Sequence, residues 1–187
     1  MRIISGKWRG KIITAPANLP VRPTTDFAKT GLFNILNNLL SLEDATVIDL
    51  FSGTGNITFE CLSRGAAKIA CVDASKLCTR FITETLKKLD ATNVQVIHDD
   101  VLSFLNTCSF QADLIFGDPP YEFAYKQQIV ETIFAKQLLN SDGLFVLEHG
   151  KEDNFKDHPH FMQERKYGIV HFTFFSQASG NSSTIKI

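Results

Sequence analysis

From Thr46 onward, short apolar runs alternate with stretches whose apolar residues recur every three or four positions. The runs at 47–51, 68–73, 94–98, 113–117 and 144–148 predict strands. The amphipathic stretches at 57–64, 76–89, 101–106 and 127–138 predict helices between them. Strands that are apolar on both faces and separated by helices specify a parallel sheet in a doubly wound α/β fold. The pattern changes at 165–175, where two β-rich runs flank Gly168 and predict an antiparallel hairpin. That ending on a parallel sheet distinguishes a methyltransferase-type fold from an ordinary dinucleotide-binding one.

Before Thr46 the pattern is different. Ala28, Leu32, Ile35, Leu36 and Leu39 give a helix one apolar face, with Thr24 or Thr25 as its cap and Asp26 in its first turn. Residues 1–23 are broken by Gly6, Gly10, Pro16, Pro20 and Pro23. Their extended pieces at 2–4 and 11–14 predict an N-terminal β-hairpin. The expected organisation is an arm over 1–23 followed by one domain over 24–187.

Charge sharpens this division. The net charge is only −1, yet Arg2, Lys7, Arg9, Lys11, Arg22 and Lys29 stand against a single early acid, Asp26. A basic arm on a neutral body suits contact with nucleic-acid phosphates, and Trp8 adds a ring for an unpaired base or for packing under the hairpin. Length (187 residues) allows one well-packed domain. No apolar run is long enough for a signal or membrane segment, so a cytoplasmic protein is expected. Cys61, Cys71, Cys78 and Cys108 lack metal-site spacing, and His158 and His160 alone are too few ligands, so no metal is expected.

The candidate cofactor site follows the first strand: Asp49, Phe51, Gly53 and Gly55 lie in a strand–turn–helix context. Glycines there permit a tight turn and close ligand approach. Asp73 ends the next strand, where a carboxylate accepts from ribose hydroxyls. Thr58 replaces the third glycine of a dinucleotide motif, and Asp49 would repel a pyrophosphate but suit a cationic sulfonium and ammonium. S-adenosylmethionine is therefore preferred over NAD. Asp100, with Val101 beside it, is placed to accept from an adenine amine, a role that coexists with helix capping.

The most specific motif is Asp118-Pro119-Pro120-Tyr121, after the fourth strand. An exocyclic base amine is a weak nucleophile, because its lone pair is delocalised into the ring. Acceptors that pull its nitrogen toward tetrahedral geometry favour attack on a methylsulfonium. Asp118 and the Pro119 carbonyl supply acceptors, Pro120 stiffens the turn, and Tyr121 offers a stacking face.

The N-terminal Arg2-Ile3-Ile4-Ser5-Gly6-Lys7-Trp8-Arg9-Gly10 resembles the opening of the RsmD family, bacterial small-subunit ribosomal RNA guanine-N2 methyltransferases. So do the segments 22–26, 32–36, 49–55 and 62–66 and the D-P-P-Y motif, in the family's order over nearly the whole chain. The resemblance implies a Rossmann-like class I S-adenosylmethionine-dependent methyltransferase fold, with a mostly parallel seven-stranded sheet. It implies methyl transfer to one guanine 2-amino group in 16S ribosomal RNA, within an assembling small subunit in preference to naked RNA. Nothing in the sequence demands a dimer, so a monomer is expected. It further places Thr24 and Thr25 over the cofactor, and Arg2, Lys7, Trp8, Arg9, Lys11 and Arg22 on RNA. The sequence departs from the family at Phe27-Ala28-Lys29-Thr30, where one basic residue and one acid are lost, and at Asn56-Ile57-Thr58. Other planar amines in DNA or protein, and a non-catalytic RNA-binding role, are the alternatives to test.

Overall fold

The computed structural model describes residues 1–16, 19 and 26–177. The roles expected of Arg22, Thr24 and Thr25 lie outside the described residues. Helix α1 (Asp26–Leu39) precedes the alternating series β1 (Thr46–Leu50), α2 (Asn56–Ser63), β2 (Lys68–Asp73), α3 (Lys76–Lys88), β3 (Val94–His98) and α4 (Val101–Thr107). The chain continues through β4 (Ala112–Gly117), α5 (Lys126–Ala135), β5 (Leu139–His149), β6 (Phe161–Tyr167) and β7 (Val170–Ser176). The seven strands form one sheet in the order β3-β2-β1-β4-β5-β7-β6. Strands β1 to β5 are parallel, whereas β7 runs antiparallel to both β5 and β6. The terminal hairpin and the parallel body are thus as the hydrophobic pattern predicts.

Pleat alternation divides the core between the two faces of the sheet. Val47, Leu114, Phe116 and Val146 point to one side, where they meet Leu32, Phe33 and Leu36 of α1. Ile48, Ile115, Phe145 and Leu147 point to the other, against Ile129 and Ile133 of α5. On α1 the buried stripe is Ala28, Lys29, Leu32, Phe33 and Leu36; Ile35 and Leu39 are only partly covered. The inward face is therefore rotated from the expected one. Helix α5 ends earlier than its pattern suggests, because Gln137 turns left-handed at φ 52°. The polar residues Asn140, Ser141 and Asp142 then belong to β5, which pairs with β4 across a register irregularity between Ala112 and Leu114.

The N-terminal hairpin is reduced to a single antiparallel bridge, Arg2 to Ile12, with no regular strands. Hydrogen bonds from Ile3 N to Lys11 O (3.0 Å) and Gly10 N to Ile3 O (2.8 Å) close the loop. Ile3 and Ile13 are buried in the same core as α1. Docking comes from α2 instead of from further pairing. The Glu60 carboxylate accepts from Ile4 N (2.8 Å) and Ser5 N (3.0 Å), and Ser63 O accepts from Lys7 N (2.7 Å).

Candidate active site

Strand order reverses between β1 and β4, so the cleft for ligands of an open α/β sheet lies beyond their carboxyl ends. The loop after β1 is built for a close approach. Phe51 takes a left-handed conformation at φ 58°, rare for a bulky residue and concentrated at functional sites. Gly55, at φ 77°, precedes α2, and a Cβ there would lie 2.7 Å from the Phe59 ring. The Ser52 hydroxyl ties the loop to both Asp49 O (2.7 Å) and Val72 O (3.1 Å).

Asp49 is buried, and its Oδ2 accepts from Thr58 N (3.0 Å) and Thr58 Oγ1 (2.6 Å). Thr58, legible in the sequence only as a missing glycine, is thus what orients Asp49. Burial pushes Asp49 up to about 7, opposed by the Thr58 hydrogen bonds and helped by repulsion from Asp118 and Asp73. Asp73 accepts from Gly53 N (2.7 Å) and Ser75 N (2.7 Å), which locks the glycine turn to the end of β2. Each of its oxygens keeps a lone pair for a further donor. The Asp100 Oδ1 caps α4 through Leu102 N (2.9 Å) and Ser103 N (3.1 Å), while Val101 is buried.

Asp118 leaves β4 beside β1, its N–H directed at Leu50 O (3.4 Å). Surrounding protein pushes its carboxyl up to about 7. The turn closes through Phe123 N to Pro120 O (2.8 Å), and the Tyr121 ring is about half exposed. Three residues in this region carried no signal in the sequence. Lys126 is buried on α5, where its Nζ donates to Tyr121 O (2.6 Å) and pairs with Asp153 (3.3 Å), pinning the D-P-P-Y turn. Phe123 packs edge-on against Phe51 at 5.2 Å, joining this turn to the cofactor loop. Glu148, near the end of β5, is buried beside Asp118 and lies up at about 8, through burial first and Asp118 second.

The carboxyl ends of β2, β1, β4 and β5 therefore present a row of acids. Among the described residues, no Lys or Arg lies within ion-pair distance of Asp49, Asp73, Asp118 or Glu148. Acids raised by burial ionise most readily beside a cation, which fits a cationic sulfonium and disfavours a pyrophosphate. The donor set and the glycine turn thus fit S-adenosylmethionine.

The basic arm lies apart from this row. Arg2, Lys7, Arg9 and Lys11 are exposed, with Lys7 Nζ 4.9 Å from the Trp8 ring centre and Trp8 half-buried against the core. Lys29 is not available to phosphate. It is buried, donating to Arg2 O (2.6 Å) and Asn56 Oδ1 (2.8 Å), 3.4 Å from Glu60. The four cysteines are buried and reduced, and the described residues contain no metal-binding cluster.

The strand order, the antiparallel seventh strand and the acidic cleft define a Rossmann-like class I methyltransferase. Within that class the chain belongs to the family described as Conserved hypothetical protein 95, the RsmD family, whose model matches residues 1–176. It is similar to two proteins named Ribosomal RNA small subunit methyltransferase D. That of Buchnera aphidicola subsp. Baizongia pistaciae is 30% identical over 148 residues, covering 79% of this chain and 75% of the relative. That of Escherichia coli (strain K12) is 29% identical over 159 residues, covering 85% and 79%. The solved structure of Escherichia coli yhhF superposes with a TM-score of 0.82 at 27% identity, covering 94% of this chain and 96% of that one.

Proposed function

We propose that the protein transfers a methyl group from S-adenosylmethionine to the 2-amino group of a guanine in small-subunit (16S) ribosomal RNA. The observation that carries this reading is the D-P-P-Y turn set against an acid row with no Lys or Arg at ion-pair distance among the described residues. When bound, S-adenosylmethionine supplies an electrophilic methyl group on a positively charged sulfur. Asp49, the Gly53–Gly55 turn and Asp73 hold its amino acid and ribose parts, with Phe51, Asp100 and Val101 alongside, and Thr24 and Thr25 over it. Asp118 and the Pro119 carbonyl accept from the guanine amine and orient its lone pair, while Tyr121 stacks on the base. The ionised Asp118 also favours the positive charge that develops on the attacking nitrogen.

The relatives' names point to ribosomal RNA as the substrate, and the exposed Arg2, Lys7, Arg9 and Lys11 supply the phosphate contacts such a substrate requires. Arg22 belongs to the same basic set. The enzyme works in the cytoplasm as a monomer, on RNA or on the assembling subunit. Incubation with methyl-labelled S-adenosylmethionine and unmodified small subunits, total RNA, DNA or protein extract tests the reading. Label recovered as N2-methylguanine from small-subunit RNA is the expected result. Label confined to DNA or protein would keep the chemistry and replace the substrate.

A further inference from the structure

We propose that Glu148 selects the acceptor base: its carboxylate takes the N1–H of the guanine whose 2-amino group Asp118 holds. The proposal rests on the guanine reading of the site and adds the means by which guanine is distinguished from other amine-bearing bases.

Register places the two side chains together. Strands β4 and β5 pair as Leu114 with Leu144, Phe116 with Val146 and Gly117 with Leu147. Alternation along both strands puts Asp118 and Glu148 next in line on the face that carries Phe116 and Val146. Two residues beyond Glu148, a Cβ at Gly150 would lie 3.4 Å from the Tyr121 ring. The end of β5 therefore faces the D-P-P-Y turn.

Glu148 is only 5% exposed, yet its Oε2 has no hydrogen-bond partner among the described residues. A buried carboxylate oxygen with no donor is costly and calls for an explanation. Nothing in the packing supplies one, because the like-charged Asp118 is its electrostatic neighbour. A ligand that brings two adjacent donors resolves both problems at once. Guanine is such a ligand, since N1–H and the 2-amino group lie side by side on its Watson–Crick edge. In adenine and cytosine the ring nitrogen beside the amine is an acceptor, so neither brings the two adjacent donors. Only the guanine N1–H, by donating to Glu148, favours the ionised carboxylate that burial disfavours.

The test begins by mapping the guanine that the wild-type enzyme labels. Small-subunit RNA is then ligated with either guanosine or 2-aminopurine riboside at that position. The analogue keeps the 2-amino group but lacks O6 and presents a bare N1 acceptor, so the change in preference between wild type and Glu148→Gln carries the test. Wild type is expected to prefer guanosine by about 10- to 100-fold in kcat/KM, the range for a charge-assisted hydrogen bond. In Glu148→Gln the carboxamide can donate to the bare N1, and the preference should shrink to about threefold while S-adenosylmethionine binding by calorimetry is retained. No preference in wild type, an unchanged preference in Glu148→Gln, or parallel loss of cofactor binding would each overturn the role of Glu148. Absence of any guanine methylation by wild type would overturn the functional reading with it. Absence of a preference in the wild-type arm overturns the role of Glu148 even if the variant fails to fold.

Discussion

At the scale of single residues, the site depends on how each carboxylate is supplied with donors. Among the described residues Asp49 has two, both from Thr58 and both on one oxygen. Thr58→Ala removes the hydroxyl donor from a buried acid and frees its orientation. S-adenosylmethionine affinity should fall about tenfold, the scale of one hydrogen bond to a charged group, and calorimetry would measure it. Asp118→Ala should behave differently, since the proposed function sets its carboxylate against the acceptor base. Turnover is expected to drop by about 10²- to 10³-fold, with cofactor affinity little changed. Equal loss of both quantities would place Asp118 in the cofactor site. The sequence made Asp49 and Asp118 visible because each sits in a motif at the end of an apolar strand, Asp49 within β1 and Asp118 directly after β4. Thr58 stayed silent because its partner is nine residues away across a turn, and only the fold sets that distance.

At the scale of elements, the parallel strands were legible because each is a compact apolar run whose period survives without neighbours. The N-terminal segment was not. Its predicted hairpin has one bridge, and its stability comes from Glu60 and Ser63, some 55 residues further along. The same long-range network withdraws Lys29 from the basic charge that the sequence counts before Thr46. Its buried ammonium instead joins Arg2 O, Glu60 and Asn56, the first residue of α2. Gly6 is where this docking is tightest, at φ +80°, with an added Cβ only 1.8 Å from Ser63 O. Gly6→Ala should therefore lift the arm, lower stability by about 1–3 kcal/mol and expose Lys7 and Arg9 to trypsin. Denaturant unfolding and limited proteolysis would measure the two effects. An unchanged cleavage pattern would mean that the arm is held by Ile3 and Ile13 alone.

At the scale of the whole molecule, near-zero net charge conceals a division between an exposed basic arm and a partly buried acid row. That row makes stability depend on pH with a definite sign. Asp49 and Asp118 sit up at about 7 and Glu148 at about 8, so the native state binds protons that the unfolded chain has released. Stability from these groups is fully present below the ordinary carboxylate range and is lost as pH rises through 7 and 8. Buried His149 and His158, whose imidazoles are lowered, act in the opposite sense below their ordinary range. The double variant Asp118→Asn with Glu148→Gln leaves those histidines in place, so the difference between the proteins isolates the two carboxyls. Scanning calorimetry should show wild type falling relative to the variant by several °C (roughly 4–8) between pH 5 and 8.5. Added S-adenosylmethionine should raise the wild-type Tm more at pH 8 than at pH 5, because its positive charge favours the ionised row. A difference independent of pH would mean that Asp118 and Glu148 ionise in the native protein as they do in the unfolded chain. The cleft would then be too well hydrated to hold a cationic donor by charge.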